Sequence, residues 1–381
     1  MLKFAEFLKE EDVKIPNKGD LAEVILACGV AAKFNNPEAV VTRTAIEKML
    51  GRVLSSRKTQ LEREDKVSSK TTVKVSDTIT LGVGIRKREW DFISDKKNWD
   101  LIGWQFDSVA KYCSTYKRLR RYSQMLYKNN KENKIVVDAD GLTDQKGTKA
   151  DIKVKIDGKV VNMQMSLKVT GGDQIGQMSG VPFERQIKLF EALGVDVSSA
   201  RKKYEEKLKE VDITYAFTSR DLIKSPQARK IQDVVRQANA FVHQEAADKL
   251  EKLMRSKNTA FIEKLTDFLR NAATGNDPTI EVVKLSTKGF KRAKFGKKYV
   301  DNVKEAMNHM KVEYRRGAGD PETIVFDPRV GKSNSSAARL FKVRAKIIYE
   351  SKKRGGEKIY PIYVRNLIES GDLMFDLATD M

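Results

Sequence analysis

The stretch TKADIKVKIDGKVVNMQMSLKV, residues 148–169, sets one carboxylate, Asp151, and one ammonium, Lys168, at the ends of two β-patterned runs. Alternate side chains of a strand share a face, so Gln164, Ser166 and Lys168 point one way while Met163, Met165 and Leu167 point into a core. The glycine-containing segment IDGK, 156–159, closes the pair as a hairpin. An acid and a lysine on neighbouring strand ends can share a divalent cation and its water: the acid holds Mg²⁺, and the lysine orients or deprotonates the water. The chemistry such a pair suits is in-line attack on a phosphodiester. Asp138 and Asp140 of VVDADG are alternate acids on the preceding strand, although solvated carboxylates at a strand end are the plainer account of both. In GGDQIGQMSG, glycine lets the backbone approach closely, so its amides and Gln174 could meet a phosphate. The plainer account there is a strand-to-helix connection capped by Ser179 ahead of Pro182.

Several elements must position these groups. Residues 3–12 read as a short helix broken by PNKGD. The run DLAEVILACGVAAKF reads as a longer one, with Asp20 as N-cap and Glu23 at the third helical position. Helical periods recur over 38–54, 104–129, the FERQIKLFEALGVDV and SARKKYEEKLKEV stretches, and 225–273. Strand patterns recur over 71–85, in NKIVVDADG and DITYAFTS, and in TIEVVKLS, TIVFDP, LFKVRAKIIYES and KIYPIYVRNLI. Composition shifts place soft boundaries near 220 and 276. The apolar stripe of IQDVVRQANAFVHQEAADKLEKLM is wide enough for packing within its own domain, with His243 a packed or surface residue.

The chain has 381 residues, enough for two or three domains and a sizeable core. Lys and Arg total 73 against 52 acids, a net charge of +21, which favours polyanionic partners, nucleic acid first. The longest apolar run is too short for a membrane span and contains Glu23. The N-terminus has no signal-peptide pattern. Two cysteines, Cys28 and Cys113, and two histidines, His243 and His309, make neither a zinc set nor a disulfide framework. A reducing, cytoplasmic setting is expected.

KADIKVKIDGKVVNMQMSLK resembles the PD-(D/E)XK nuclease superfamily, with KAD supplying Asp151 and SLK supplying Lys168. The Asp-Ile, Ser-Leu-Lys and Gly-Gly-x-Gln pattern is also similar to a subgroup found in uncharacterised tailed-phage proteins. The resemblance covers about residues 15–220. It implies a restriction-endonuclease-like mixed sheet flanked by helices, and a first-helix acid, for which Glu23 is the candidate. It also implies Mg²⁺ or Mn²⁺ held by Glu23 and Asp151, and Lys168 polarising the water or the scissile phosphate. Ser166 and Gln164 would be neutral ligands or hydrogen-bond partners. Where the superfamily carries an acid two residues before its lysine, this chain carries Ser166, and a neutral ligand lowers Mg²⁺ affinity. Glu23 would supply the missing charge; without it the fold binds nucleic acid but does not cut. If the chain is phage-encoded, its setting is the host cytoplasm.

Two basic stretches are candidate DNA contacts. KYCSTYKRLRRYSQMLYK offers Lys117, Arg118 and Arg121 among tyrosines able to stack on bases. KLSTKGFKRAKFGKKYV, read as a flexible loop, offers Lys291, Arg292, Lys294, Lys297 and Lys298 beside Phe290, Phe295 and Tyr299. KIDG also matches the Lys-x-Asp-Gly of nucleotidyl-transferring ligases, but a hairpin turn explains it. The expected protein is α+β: a nuclease-like α/β core over 1–220, a helical segment over 221–275 and a basic C-terminal α+β domain over 276–381. The expected activity is metal-dependent DNA cleavage, DNA being the partner, with no membrane and with a homodimer left open. The alternative is an inactive nucleic-acid-binding or virion-associated structural protein of the same fold.

Overall fold

LAEVILACGVAAKF folds as the middle of α1, Lys18–Asn35. Its N-cap is Asn17, whose Oδ1 accepts from the Gly19 amide at 3.0 Å, so Asp20 is not the cap expected from the sequence. Pro16 keeps the preceding chain out of the helix and Asn caps as well as Asp, leaving Asp20 inside the first turn, where the helix dipole favours an acid. From Asp20 to Ala31 every residue but Glu23 is buried. A helix apolar nearly all round belongs inside a core. Gly29 allows this: a Cβ there would lie 2.6 Å from Val109 Cγ1 and 2.9 Å from Cys113 Sγ.

The computed structural model describes residues 15–61, 70–84, 86–129, 133–139, 150–169, 174–256, 258–275, 277, 279–317 and 319–378. The helix expected over 3–12, Asp140 and residues 170–173 of the glycine stretch lie outside them. The protein is a mixed α+β chain with two sheets, divided into two compact units: residues 1–172 with 279–291, and residues 173–278 with 292–381. These units do not follow the expected boundaries at 220 and 276. The reason is that TIEVVKLS returns to extend the first sheet.

The first unit's sheet runs β1 (Thr71–Lys74), β2 (Ile79–Val83), β3 (Ile135–Ala139), β4 (Ile152–Ile156), β5 (Lys159–Val169), β8 (Glu281–Ser286) and β9 (Gly289–Ala293). The β2–β3 and β5–β8 pairs are parallel, whereas β1–β2, β3–β4 and β4–β5 are antiparallel. The β4–β5 turn carries Asp157 at φ 49 and Gly158 at φ 80, two consecutive left-handed residues that match the twist of the flanking strands. Asp157 Oδ1 also accepts from the Lys134 amide at 2.9 Å, so KIDG is a turn built into the sheet. Besides α1, this unit contains α2 (Arg43–Leu61), α3 (Lys87–Ser94), α4 (Gly103–Thr115) and α5 (Lys117–Asn129). The last two are one helical run in the sequence, broken at Tyr116.

In the second unit, β6 (Gln174–Ser179), β7 (Ala216–Phe217) and β10–β14 form an antiparallel sheet. The strands β10–β14 are Lys311–Gly317, Asp320–Phe326, Arg339–Tyr349, Lys352–Arg354 and Glu357–Ser370. DITYAFTS supplies only the two residues of β7. The expected 225–273 region is α8 (Pro226–Arg255) and α9 (Thr259–Thr274), after α6 (Phe183–Ala192) and α7 (Arg201–Leu208). Ser225 caps α8 ahead of Pro226, and Asn258 caps α9. The α8 stripe Ala228, Ile231, Val235, Ala238, Val242 and Ala246 is buried, so this helix packs within its own unit.

Candidate functional site

The β4–β5 hairpin fixes Asp151 first. Its amide donates to the Met165 carbonyl at 2.8 Å, continuing the ladder one residue beyond β4. That register lays the carboxylate against β5, where Oδ2 accepts from the Leu167 amide and, at 3.2 Å, from the Ser166 hydroxyl. Ser166 is only 1% exposed, so it acts on the acid as an orienting donor. Met163, Met165 and Leu167 are buried as the alternation requires, and Lys168 is half-buried. Gln164 Nε2 donates to Thr279 Oγ1 at 3.3 Å.

Glu23 comes to this hairpin from α1. Burial pushes its carboxyl well above the ordinary glutamate value, the Asp151 and Asp20 carboxylates push the same way, and Lys168 and Arg86 oppose them. Helix α1 also packs against β5, which carries Lys168, so the helix acid, the hairpin acid and the strand lysine influence one another's charge. Asp20, one turn earlier on the same helix face, is raised by burial against the pull of Arg86, with Glu89 and Asp151 adding to the rise.

Asp20 Oδ1 accepts from Asn17 Nδ2 at 2.8 Å, and the Asn17 amide donates to Glu89 Oε1 at 3.3 Å. The other oxygens, Asp20 Oδ2 and Glu89 Oε2, are buried without a hydrogen bond. Sequence reasoning marked Asp20 only as a cap and overlooked Glu89 and Arg86. The one available signal was the three-residue spacing of Asp20 and Glu23.

Lys284 was assigned only to the basic patch. Strand β8 runs parallel to β5 with Lys284 opposite Lys168, and Lys284 is 3% exposed. The two ammonium-bearing residues therefore occupy adjacent positions on one sheet face, a juxtaposition that chain order hides.

The cluster's donors are all oxygens, which suits a hard cation such as Mg²⁺ or Mn²⁺ better than zinc. Repulsion between the Glu23 and Asp151 carboxylates is what a divalent cation would relieve, so the donor chemistry of the two suits such an ion. Among the described residues no group of three or more His, Cys, Asp or Glu side chains is arranged to hold a metal ion. The acids share a field rather than a ready-made cage.

Other expected site residues lie elsewhere. Asp138 is not a solvated acid: it is 2% exposed and paired with Lys70 at 2.6 Å and Lys155 at 2.8 Å. Burial alone would raise its pKa, but the two lysines hold it below the usual carboxylate range. Gln174 is not in a glycine loop; it opens β6 in the second unit and donates to Gln177 at 3.1 Å.

Tyr112 and Tyr116 cannot stack on bases, being buried with their hydroxyls on Glu281, at 3.4 and 2.7 Å. On α5, Lys117 and Arg121 are exposed and Arg118 is half-buried. KLSTKGFKRAKFGKKYV is not a flexible loop, for it forms the end of β8, β9 and the start of α10 (Lys297–Ala306). Its Phe295 and Tyr299 are core residues, while Lys291, Lys294, Lys297 and Lys298 are exposed and Arg292 half-buried.

Among the described residues no helix is long and apolar enough to cross a membrane. Compared with protein-family models, curated proteins and solved structures, the chain finds no match.

Proposed function

We propose that the protein is a metal-dependent DNA endonuclease of the PD-(D/E)XK kind, its site built from Glu23, Asp151 and Lys168. The observation that carries this reading is that α1, which bears Glu23, packs against β5, which bears Lys168 and binds the Asp151 carboxylate through Ser166 and Leu167. Glu23 and Asp151 would hold Mg²⁺ or Mn²⁺, which when bound supplies an acidified water and positive charge for the phosphate.

Asp151 is held for that task by the Ser166 hydroxyl and the Leu167 amide. Lys168 orients the water and shields the phosphoryl oxygens. The water oxygen forms the new P–O bond as one ester P–O bond breaks, and the proton the water gives up passes to the leaving alkoxide, so the products are a phosphomonoester and an alcohol. Exposed cations such as Lys117 and Arg121 on α5 would track the DNA backbone.

A second reading, a protein of this fold that binds nucleic acid without cutting it, draws on Ser166 standing where an acid is expected. Incubating the protein with supercoiled plasmid and Mg²⁺ or Mn²⁺, beside Lys168→Ala, separates the two. The first reading requires nicking by the wild type that the variant lacks; equal residual nicking by both removes it.

A further inference from the structure

Arg86 stands at the edge of the acidic cluster in an unusual way. Its Nη1 lies 3.8 Å from Asp20 Oδ2, too far for a hydrogen bond, and its side chain is 56% exposed while that of Asp20 is 10% exposed. Elsewhere in the chain a structural arginine grips its acid: Arg329 meets both oxygens of Asp327 at 2.6 to 3.2 Å. Arg86 has no such fork. It is the cation that Asp20 and Glu23 both feel, and its side chain is more than half exposed. Meanwhile the Asp20 oxygen it approaches, and Glu89 Oε2 nearby, remain without hydrogen bonds.

A loosely tethered guanidinium at the rim of a carboxylate cluster has donors to spare, and its planar array matches the oxygens of a phosphate. The acids attract it to this place but leave it unsaturated. An arginine that served only to neutralise Asp20 would gain by closing the remaining distance into a bidentate pair.

We infer that Arg86 is a substrate-binding residue, tethered by Asp20 beside the Glu23–Asp151–Lys168 cluster so that its guanidinium takes up a phosphate of the nucleic-acid backbone. The inference rests on the function proposed above and adds a residue to it. Arg86 would then join Lys168 in contacting the strand. The contact is to phosphate, so it carries affinity and register but no base preference.

The test is equilibrium binding of a fluorescein-labelled DNA duplex, by anisotropy, without divalent cations and over a series of salt concentrations. Wild type, Arg86→Gln, Arg86→Lys and Lys87→Gln are compared, Lys87 being an exposed neighbour paired with Asp91. Arg86→Gln should weaken binding about tenfold for every duplex sequence and reduce the slope of log K against log salt by about 0.9, the signature of one lost phosphate contact.

Arg86→Lys should keep the slope and part of the affinity, and Lys87→Gln should leave both near wild type. Mn²⁺ should bind Arg86→Gln at least as tightly as wild type, since a repelling cation has gone. If Arg86→Gln and wild type share slope and affinity, Arg86 is a surface ion pair and this inference falls while the proposed function stands. If wild type binds no duplex at low salt, both fall together.

Discussion

The Ser166 hydroxyl donates to Asp151 Oδ2 at 3.2 Å across the two strands of the hairpin. The residue occupying the acid's place therefore supports the acid that remains. The Leu167 amide donates to the same oxygen. Ser166→Ala should fold, because the amide still satisfies Oδ2. It should weaken Mn²⁺ binding by about tenfold, the usual effect of losing an orienting hydrogen bond behind a ligand. Titration calorimetry reads this, and an unchanged affinity would make the bond incidental.

Asp138 should behave as a structural acid. Its two lysine partners have side chains 31% and 33% exposed, so removing the carboxylate leaves cations that can turn to water. Asp138→Asn should therefore cost about 1–3 kcal/mol, less than breaking a fully buried pair. Mn²⁺ affinity should not change. Because the folded state holds this carboxyl below its ordinary pKa, its contribution is present above that range and is lost as pH falls through the lower, folded value. Loss of Mn²⁺ binding without loss of stability would instead return Asp138 to the site.

His243 makes the second unit sensitive to mild acid. Thr323 gives its one hydroxyl proton to the His243 carbonyl at 3.0 Å, so the ring's Nδ1, 3.0 Å from the Thr323 Oγ1, carries the hydrogen and donates it to that hydroxyl oxygen. Burial lowers the ring's pKa to about 4. The unfolded chain takes up a proton below the ordinary histidine value while the folded chain stays neutral. Stability is thus full above about pH 6.5 and falls toward pH 4, by on the order of 3 kcal/mol in all. Urea unfolding at a series of pH values should show this slope, and His243→Gln should flatten it. Parallel slopes for the two proteins would locate the acid sensitivity elsewhere.

Much of this was readable in the sequence because it is local. Period-two alternation and IDGK define the β4–β5 hairpin, and the apolar run at 21–34 defines α1. Asp151 and Lys168 follow directly from that hairpin. The parallel pairing that sets Lys284 beside Lys168 is a long-range event with no local signature. The tyrosines at 112 and 116 misled for a related reason: only the fold shows that Glu281 waits in the core to receive their hydroxyls. The cations of 284–300 read as a loop because glycines and lysines punctuate them, yet Phe295 and Tyr299 anchor the segment. Asp20 was mistaken for a cap because Asn17 is an equally good one three residues earlier.

A calorimetric Mn²⁺ titration of wild type, Glu23→Gln and Asp151→Asn tests the central claim most directly. The account predicts one saturable site in the wild type that each single change weakens at least about tenfold, since each removes one of the charged ligands on which affinity depends. Absence of binding to the wild type, or equal binding by all three proteins, would contradict it.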